Sequence, residues 1–374
     1  MPLRRLFLVL LLALLTAPIE TWAAPRDPKD YSTAPRLDLL AVWVRDVDKT
    51  AAFLNDVLGW RRHPLQFGVK EDSEVFGGMK LAWVDANGIW LELVQPTTEG
   101  PGMKFLREKG DGSVVELDFF VDDFDKSVGL LKAKGIQPMG MDGKPMKEGG
   151  LLREWVIVDG KRVEGAERLA YLPVEAARGT SIMLGWEFPS GAVIRRDKTW
   201  SEKERTPRST PRTDYVTVAS ADLENTAAVY TRVLNLKRLS ATVGIRRDWM
   251  GVAEDTQAWI KSPSKLWVNL VSPTGKAADR ILKDSRLGDG AIVEIAAEVP
   301  NIDAFYDAML GKGIVMTAGD ATPLPSGSKA VTSPTGDRYC YFPLDRSEGM
   351  RIMIFERSNG PLGALRRRDE LAAM

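Results

Sequence analysis

The sequence predicts an α+β protein built from four βαβββ modules, two in each of two duplicate halves. Three observations carry this. Leu37–Trp60 (LDLLAVWVRDVDKTAAFLNDVLGW) matches Thr213–Leu236 (TDYVTVASADLENTAAVYTRVLNL) without a gap, pairing Asp38 with Asp214 and Thr50-Ala51-Ala52 with Thr226-Ala227-Ala228. Gly110–Ile136, opening GDGSVVEL, matches Gly288–Ile314, opening GDGAIVEI, and both close on KGI. Within each half one local pattern recurs: an alternating strand, an acidic turn, a helix with apolar residues at helical spacing, and a glycine or asparagine stop.

In chain order, residues 1–23 begin with Arg4-Arg5, run apolar from Leu6 to Ala17 and end on small residues. That is the layout of a secretory signal cleaved after Ala23 or Ala24, and the run is shorter than the ~20 residues of a spanning helix. Arg4-Arg5-Leu6-Phe7-Leu8 also has the form of a twin-arginine signal, so either export route fits. The expected mature protein is periplasmic or secreted, with no stable membrane span after processing.

Each module opens with a half-buried alternating strand, such as Leu39–Val44 or Val115–Val121. The turns that follow hold Asp46 and Asp48, Asp122, Asp123 and Asp125, Asp222 and Glu224, or Asn301 and Asp303, all able to cap helix amides. Helices of about twelve residues stop at Gly59, Gly135, Asn235 and Gly313, residue types that tolerate a left-handed helix end. Three more strands complete each module. Later strands repeat too: Ile89–Thr97 matches Leu266–Thr274, and Arg168, Tyr171 and Pro173 match Arg338, Tyr341 and Pro343. The domains are therefore 36–190 and 213–356, joined by a polar, exposed linker at 195–212 and followed by a frayed polar tail at 357–374.

Composition excludes several function classes. Lys plus Arg and Asp plus Glu are both 51, so the chain lacks the basic excess of a nucleic-acid binder. The single Cys340 leaves no intramolecular disulfide, CxxC pair or cysteine-rich zinc site, and the single His63 leaves one imidazole per chain. His63 itself has no neighbour at short spacing to orient it as a base.

The run AVWVRDVDKTAAFLNDVLGW, with its Asp-x-Asp-Lys turn and Leu-Gly helix end, resembles the vicinal-oxygen-chelate superfamily of glyoxalases, bleomycin-resistance proteins and extradiol dioxygenases. The likeness spans nearly all of 36–356. It implies that modules pair into curved-sheet cups, so this chain should hold two glyoxalase-like cups. It also implies four metal-ligand positions per cup, usually His and Glu. Here they are Leu39, Glu92, Glu116 and Met183 in the first cup, and Tyr215, Asn269, Glu294 and Met353 in the second. Leu, Met, Tyr and Asn are poor replacements for a site that normally wants at least three good donors, so no metal cofactor is expected. The Met pair makes a soft apolar floor instead.

Strand parity adds Asp118 to the face of Glu116 and Glu187 to that of Met183. Glu92, Glu116, Asp118 and Glu187 would then converge beside Trp43 and Trp90. Such a cluster needs a hard divalent metal, an organic cation against the indole faces, or a shallow wet cup. Arg168 with Tyr171, and Arg338 with Tyr341, either line the cup rims or end a strand structurally. Three functions follow: an exported binder of a small apolar, aromatic or cationic ligand; a lyase, epimerase or isomerase using Glu92 and Glu116; or a scaffold that binds a protein partner.

Overall fold

The computed structural model describes residues 34–64, 67–69, 78–140, 143–146, 151–158, 161–186, 206–207, 209–238, 257–264, 266–275, 282, 288–319, 321–332 and 337–356; of 67–69, 151–158, 161–167 and 186 it describes the backbone alone. The signal segment, most of the linker, Glu187 and the tail lie outside the described residues.

In the first half, β1 (Arg36–Trp43) leads to α1 (Val47–Phe53, extended by a π-helical turn at Leu54–Leu58), then β2 (Arg61–Arg62), β3 (Phe67–Val69), β4 (Met79–Asp85) and β5 (Trp90–Pro96). After α2 (Pro101–Lys109) come β6 (Ser113–Phe120), α3 (Phe124–Ala133), β7 (Leu151–Val158), β8 (Lys161–Tyr171) and β9 (Ile182–Trp186). The second half repeats this with β10 (Arg212–Ala219), α4 (Leu223–Ala228, with a π-helical turn at Val229–Val233), β11 (Lys237–Arg238), β12 (Gln257–Lys261) and β13 (Trp267–Val271). Its last module is β14 (Ile292–Val299), α5 (Ile302–Gly311), β15 (Val331–Thr332), β16 (Arg338–Tyr341) and β17 (Ile352–Glu356). No described helix is long and apolar enough to cross a membrane.

The turn chemistry works as the sequence predicts. Asp46, Asp123, Asp222 and Asn301 each accept amide hydrogen bonds at a helix start, worth about 1 kcal/mol apiece. Gly59, Gly135, Asn235 and Gly313 all sit at positive φ, between 57° and 75°. The π-helical turns, one at the same place in each half, and α2 between the first two modules were not legible from periodicity.

The opening strands of paired modules lie antiparallel at the centre of each sheet. One sheet runs β2–β4–β5–β1–β6–β9–β8–β7, with β3 joining β4 to β7; the other runs β11–β12–β13–β10–β14–β17–β16–β15. Each sheet has two buried faces. The helix-side faces of both share a single apolar core, including Leu40, Val42, Leu117 and Phe119 from one half and Val216, Val218, Ile295 and Ile354 from the other. The opposite faces form two separate clusters, one inside each cup.

A reciprocal seam locks the halves together. The Asp111-Gly112 turn crosses the Glu348-Gly349 turn, and the Asp289-Gly290 turn crosses Arg178–Thr180. A Cβ on Gly112 would lie 2.3 Å from the Glu348 carbonyl, and one on Gly290 would lie 2.3 Å from the Thr180 nitrogen. Polar contacts repeat the exchange: Leu37 N–H donates to Ser262 Oγ at 2.8 Å, while Thr213 Oγ1 donates to the Ala86 carbonyl at 2.8 Å. Lys134 reaches the carbonyls of Arg232 and Val233 at the end of α4, and Lys312 reaches the Asp56 carbonyl at the end of α1.

The linker's far end departs from the exposed segment expected. Thr206 is buried, its hydroxyl donating to the Asp85 carbonyl at 2.6 Å, and Trp60 Nε1 donates to the Pro211 carbonyl at 2.7 Å. Its hydroxyl and carbonyls satisfy donors and acceptors that strand ends leave open, which overrides its polar composition.

Gly112→Ala should cost about 3 kcal/mol or more, because a left-handed φ and a backbone collision combine. Gly313→Ala, at φ 72° with nothing within 4 Å, should cost only about 1 kcal/mol. Urea unfolding of both variants measures the difference; equal losses would mean the seam yields freely.

Candidate functional site

In the first cup, Leu39, Ala41 and Trp43 of β1 face the interior, and pairing aligns two rows across it. One row is Trp83, Glu92, Ala41 and Glu116; the next is Trp90, Leu39, Asp118, Met183 and Tyr171. A bulge opposite Ala41/Val42 lets consecutive residues of β6, Val115 and Glu116, address the cup. The fold therefore brings Glu116, Asp118, Met183 and Leu39 together and leaves Glu92 on the far side of β1.

Glu116 is held from two directions. Tyr171 OH donates to Oε1 at 3.3 Å and Ser181 Oγ donates to Oε2 at 3.1 Å, and the Asp118 carboxyl stands beside it two residues along the same face of β6. Burial is the main cause that pushes the Glu116 carboxyl above its ordinary 4.5, with Asp118, Ser181 and Tyr171 pulling the other way. The walls are aromatic: Trp43 lies 4.7 Å from Phe105 of α2, and Trp83 meets Trp90 edge-on at 6.0 Å. Trp90, Glu92 and Glu116 remain partly exposed.

The second cup has the same rows with other side chains: Trp259, Asn269, Thr217 and Glu294, then Trp267, Tyr215, Ala296, Met353 and Tyr341. Glu294 accepts from Thr217 Oγ1 at 2.9 Å and from Tyr341 OH at 2.6 Å. Tyr215 packs edge-on against Trp259 at 4.9 Å and lies 5.6 Å from Phe355. Tyr215, Trp259, Trp267, Asn269, Glu294 and Met353 are each 6% exposed or less. The partly open positions of the first cup are thus buried in the second.

A metal of the kind the resemblance implies does not fit these donors. In the first cup, Leu39 and Met183 stand at two of the four positions, and Glu116 accepts hydrogen bonds from Tyr171 and Ser181. In the second, Glu294 is committed to two hydroxyls beside Tyr215, Met353 and the neutral Asn269. Among the described residues no group of three or more His, Cys, Asp or Glu is arranged to hold an ion. Glu187, the fourth acid of the expected cluster, lies outside the described residues.

Of the two readings open for Arg168 and Arg338, the structure gives the structural one rather than the cup rim. Each lies an odd number of positions from its Tyr, hence on the opposite face, where Arg168 pairs with Asp125 and Arg338 with Asp303 and Glu356. His63 is fully buried, its backbone N–H donating to the Trp83 carbonyl at 2.7 Å. Ser181, Thr217, Trp83 and Trp259 escaped sequence reasoning. Their signal is register: each stands beside an identified position on a neighbouring strand, which only pairing reveals.

The raised Glu116 pKa has a stability consequence. Folded, the carboxyl holds its proton more tightly than in the unfolded chain. Its contribution is therefore complete below the ordinary 4.5 and is lost as pH rises through the raised value. Glu116→Gln should remove that slope, so its urea midpoint gains on wild type as pH rises above the ordinary 4.5. A gap that stays constant as pH rises would contradict the raised carboxyl.

Comparison with known proteins agrees with this geometry. Residues 39–151 match the family model of the Glyoxalase/Bleomycin resistance protein/Dioxygenase superfamily. A search of curated protein sequences returns no match. Among solved structures, a triple mutant of 4-hydroxymandelate synthase from Streptomyces coelicolor aligns at TM-score 0.56 and 14% identity, over 87% of this chain and 94% of that one. A xylose isomerase-like TIM barrel/4-hydroxyphenylpyruvate dioxygenase fusion protein aligns at TM-score 0.52 and 14% identity over 96% of this chain, which spans 54% of that protein's length. At such identity the likeness is one of fold. The family match rests on residues 39–151; over the whole chain, the two tandem cups share the fold of these solved structures.

Proposed function

We propose that this is an exported protein whose first cup binds a small organic molecule, aromatic or cationic, without a catalytic metal. The observation that carries the reading is the contrast between the cups: Trp90, Glu92 and Glu116 are partly exposed where Trp267, Asn269 and Glu294 are buried. An aromatic guest would gain from burial against Trp43, Trp83 and Trp90, at roughly 25 cal/mol per Å² of apolar surface. The neighbouring Glu116 and Asp118 carboxyls, once ionised, offer charge to a cation lying over the indole faces.

A second reading rests on the same carboxyl. Partial exposure, a raised pKa and fixed donors from Tyr171 and Ser181 suit Glu116 to take a proton from carbon next to a carbonyl, as a lyase or isomerase would require.

The test is a panel of small aromatic and quaternary-ammonium compounds titrated against the mature chain, followed by tryptophan fluorescence and melting temperature. Saturable binding that weakens about tenfold or more in Trp90→Ala supports the binder. If a bound compound is also turned over, and turnover alone disappears in Glu116→Gln, the enzyme reading replaces it. No response from any compound, with another protein co-purifying tightly, would assign the chain to the scaffold class. Exported protein should begin just after Ala23 or Ala24 by intact mass.

A further inference from the structure

The second cup contains buried polar atoms that its own packing does not use. Among the described residues, Asn269 Oδ1 and Nδ2, Trp259 Nε1 and Gln257 Oε1 find no hydrogen-bond partner, and the three side chains are 0%, 3% and 6% exposed. All three point into the cup. Trp259 is the cross-strand partner of Asn269, and Gln257 is two residues before Trp259 on the same face of β12. Both ends of the Asn269 amide lack a partner, so exchanging its oxygen and nitrogen leaves the deficit unchanged.

Folded proteins rarely tolerate such a group of atoms, because each buried donor or acceptor forfeits its bonds to water. The first cup shows that the scaffold does not demand two of the three: Leu81 stands at the Gln257 position and Glu92 at the Asn269 position, while Trp83 keeps the Trp259 position. Thr217, next to Asn269 in the row, already spends its hydroxyl on Glu294.

We infer that the second cup is a separate binding site for a neutral, flat molecule bearing an amide-type edge, such as an aromatic carboxamide or a lactam ring. Its carbonyl would accept from Trp259 Nε1 and the Asn269 amide nitrogen, and its N–H would donate to Asn269 or Gln257 oxygen. The rings of Tyr215, Trp267 and Phe355 would pack on its faces. The unpartnered atoms of Asn269, Trp259 and Gln257 are neutral donors and acceptors, which a neutral polar edge matches. The donor set takes the place of the superfamily's metal ligands with hydrogen bonding of opposite character, and it is independent of the first-cup reading.

The full chain, purified from the producing cells without added ligand, would be examined by native mass spectrometry. It would then be titrated with benzamide, nicotinamide and uracil, monitored by calorimetry and melting temperature. A small neutral mass retained by the protein, or saturable binding of at least one probe, is expected. Asn269→Leu and Trp259→Phe, both close in shape to the originals, should each weaken that binding about tenfold or more. No retained mass together with no response to any probe overturns the inference and leaves the atoms to buried water. Binding that survives both variants, or that falls instead with Trp90→Ala, overturns it as well. Failure of the first-cup panel alone leaves this result standing.

Discussion

The structure depends on two backbone crossings between the halves. Gly112 meets Glu348 and Gly349, and Gly290 meets Arg178 and Thr180, at separations that leave no space for a side chain. With the halves this close, the helix-side faces of both sheets merge into one core, and neither half has a complete apolar interior by itself. Because one face of each sheet is spent on the shared core, each cup must lie on the other face, turned away from its twin.

On this symmetric frame the side chains are not symmetric. The same register that sets Glu116 beside Asp118 sets Glu294 beside Ala296. One cup therefore keeps two neighbouring acids, one of them with its carboxyl pushed up by burial, while the other keeps a single acid tied to two hydroxyls. Away from bulk water these differences weigh heavily, since both the strength of a polar bond and the penalty for lacking one rise as the dielectric falls. Leu39 against Tyr215 and Glu92 against Asn269 extend the contrast from charge to shape.

The modules, their order and their ends were legible because they rest on local physics: alternation, Asp or Asn at the helix start, Gly or Asn at a left-handed finish. Glu116, Asp118 and Met183 could be gathered from strand parity and resemblance alone. What could not be gathered was anything set by neighbours across strands. Glu92 shares the face of Glu116 yet stands two strands away, and the bulge in β6 that aims Val115 with Glu116 leaves no mark in the hydrophobic pattern. Arg168 stayed open between two roles until pairing placed it on the face opposite Tyr171, against Asp125. The helix α2, which sets Phe105 against Trp43, begins with Pro101 at its first turn, a start signal too brief to stand out.

The reciprocal seam makes the chain the covalent counterpart of a two-fold homodimer, with each half supplying what the other would receive from a second copy. The tether holds the partners at high effective concentration, so pairing no longer depends on how much protein is present. It also removes a constraint on inheritance. In a homodimer every substitution appears in both subunits, and a change that helps one cup is imposed on the other. In a fused chain the contact surfaces must stay matched while the interiors drift apart, so the molecule can keep one architecture and house two chemistries.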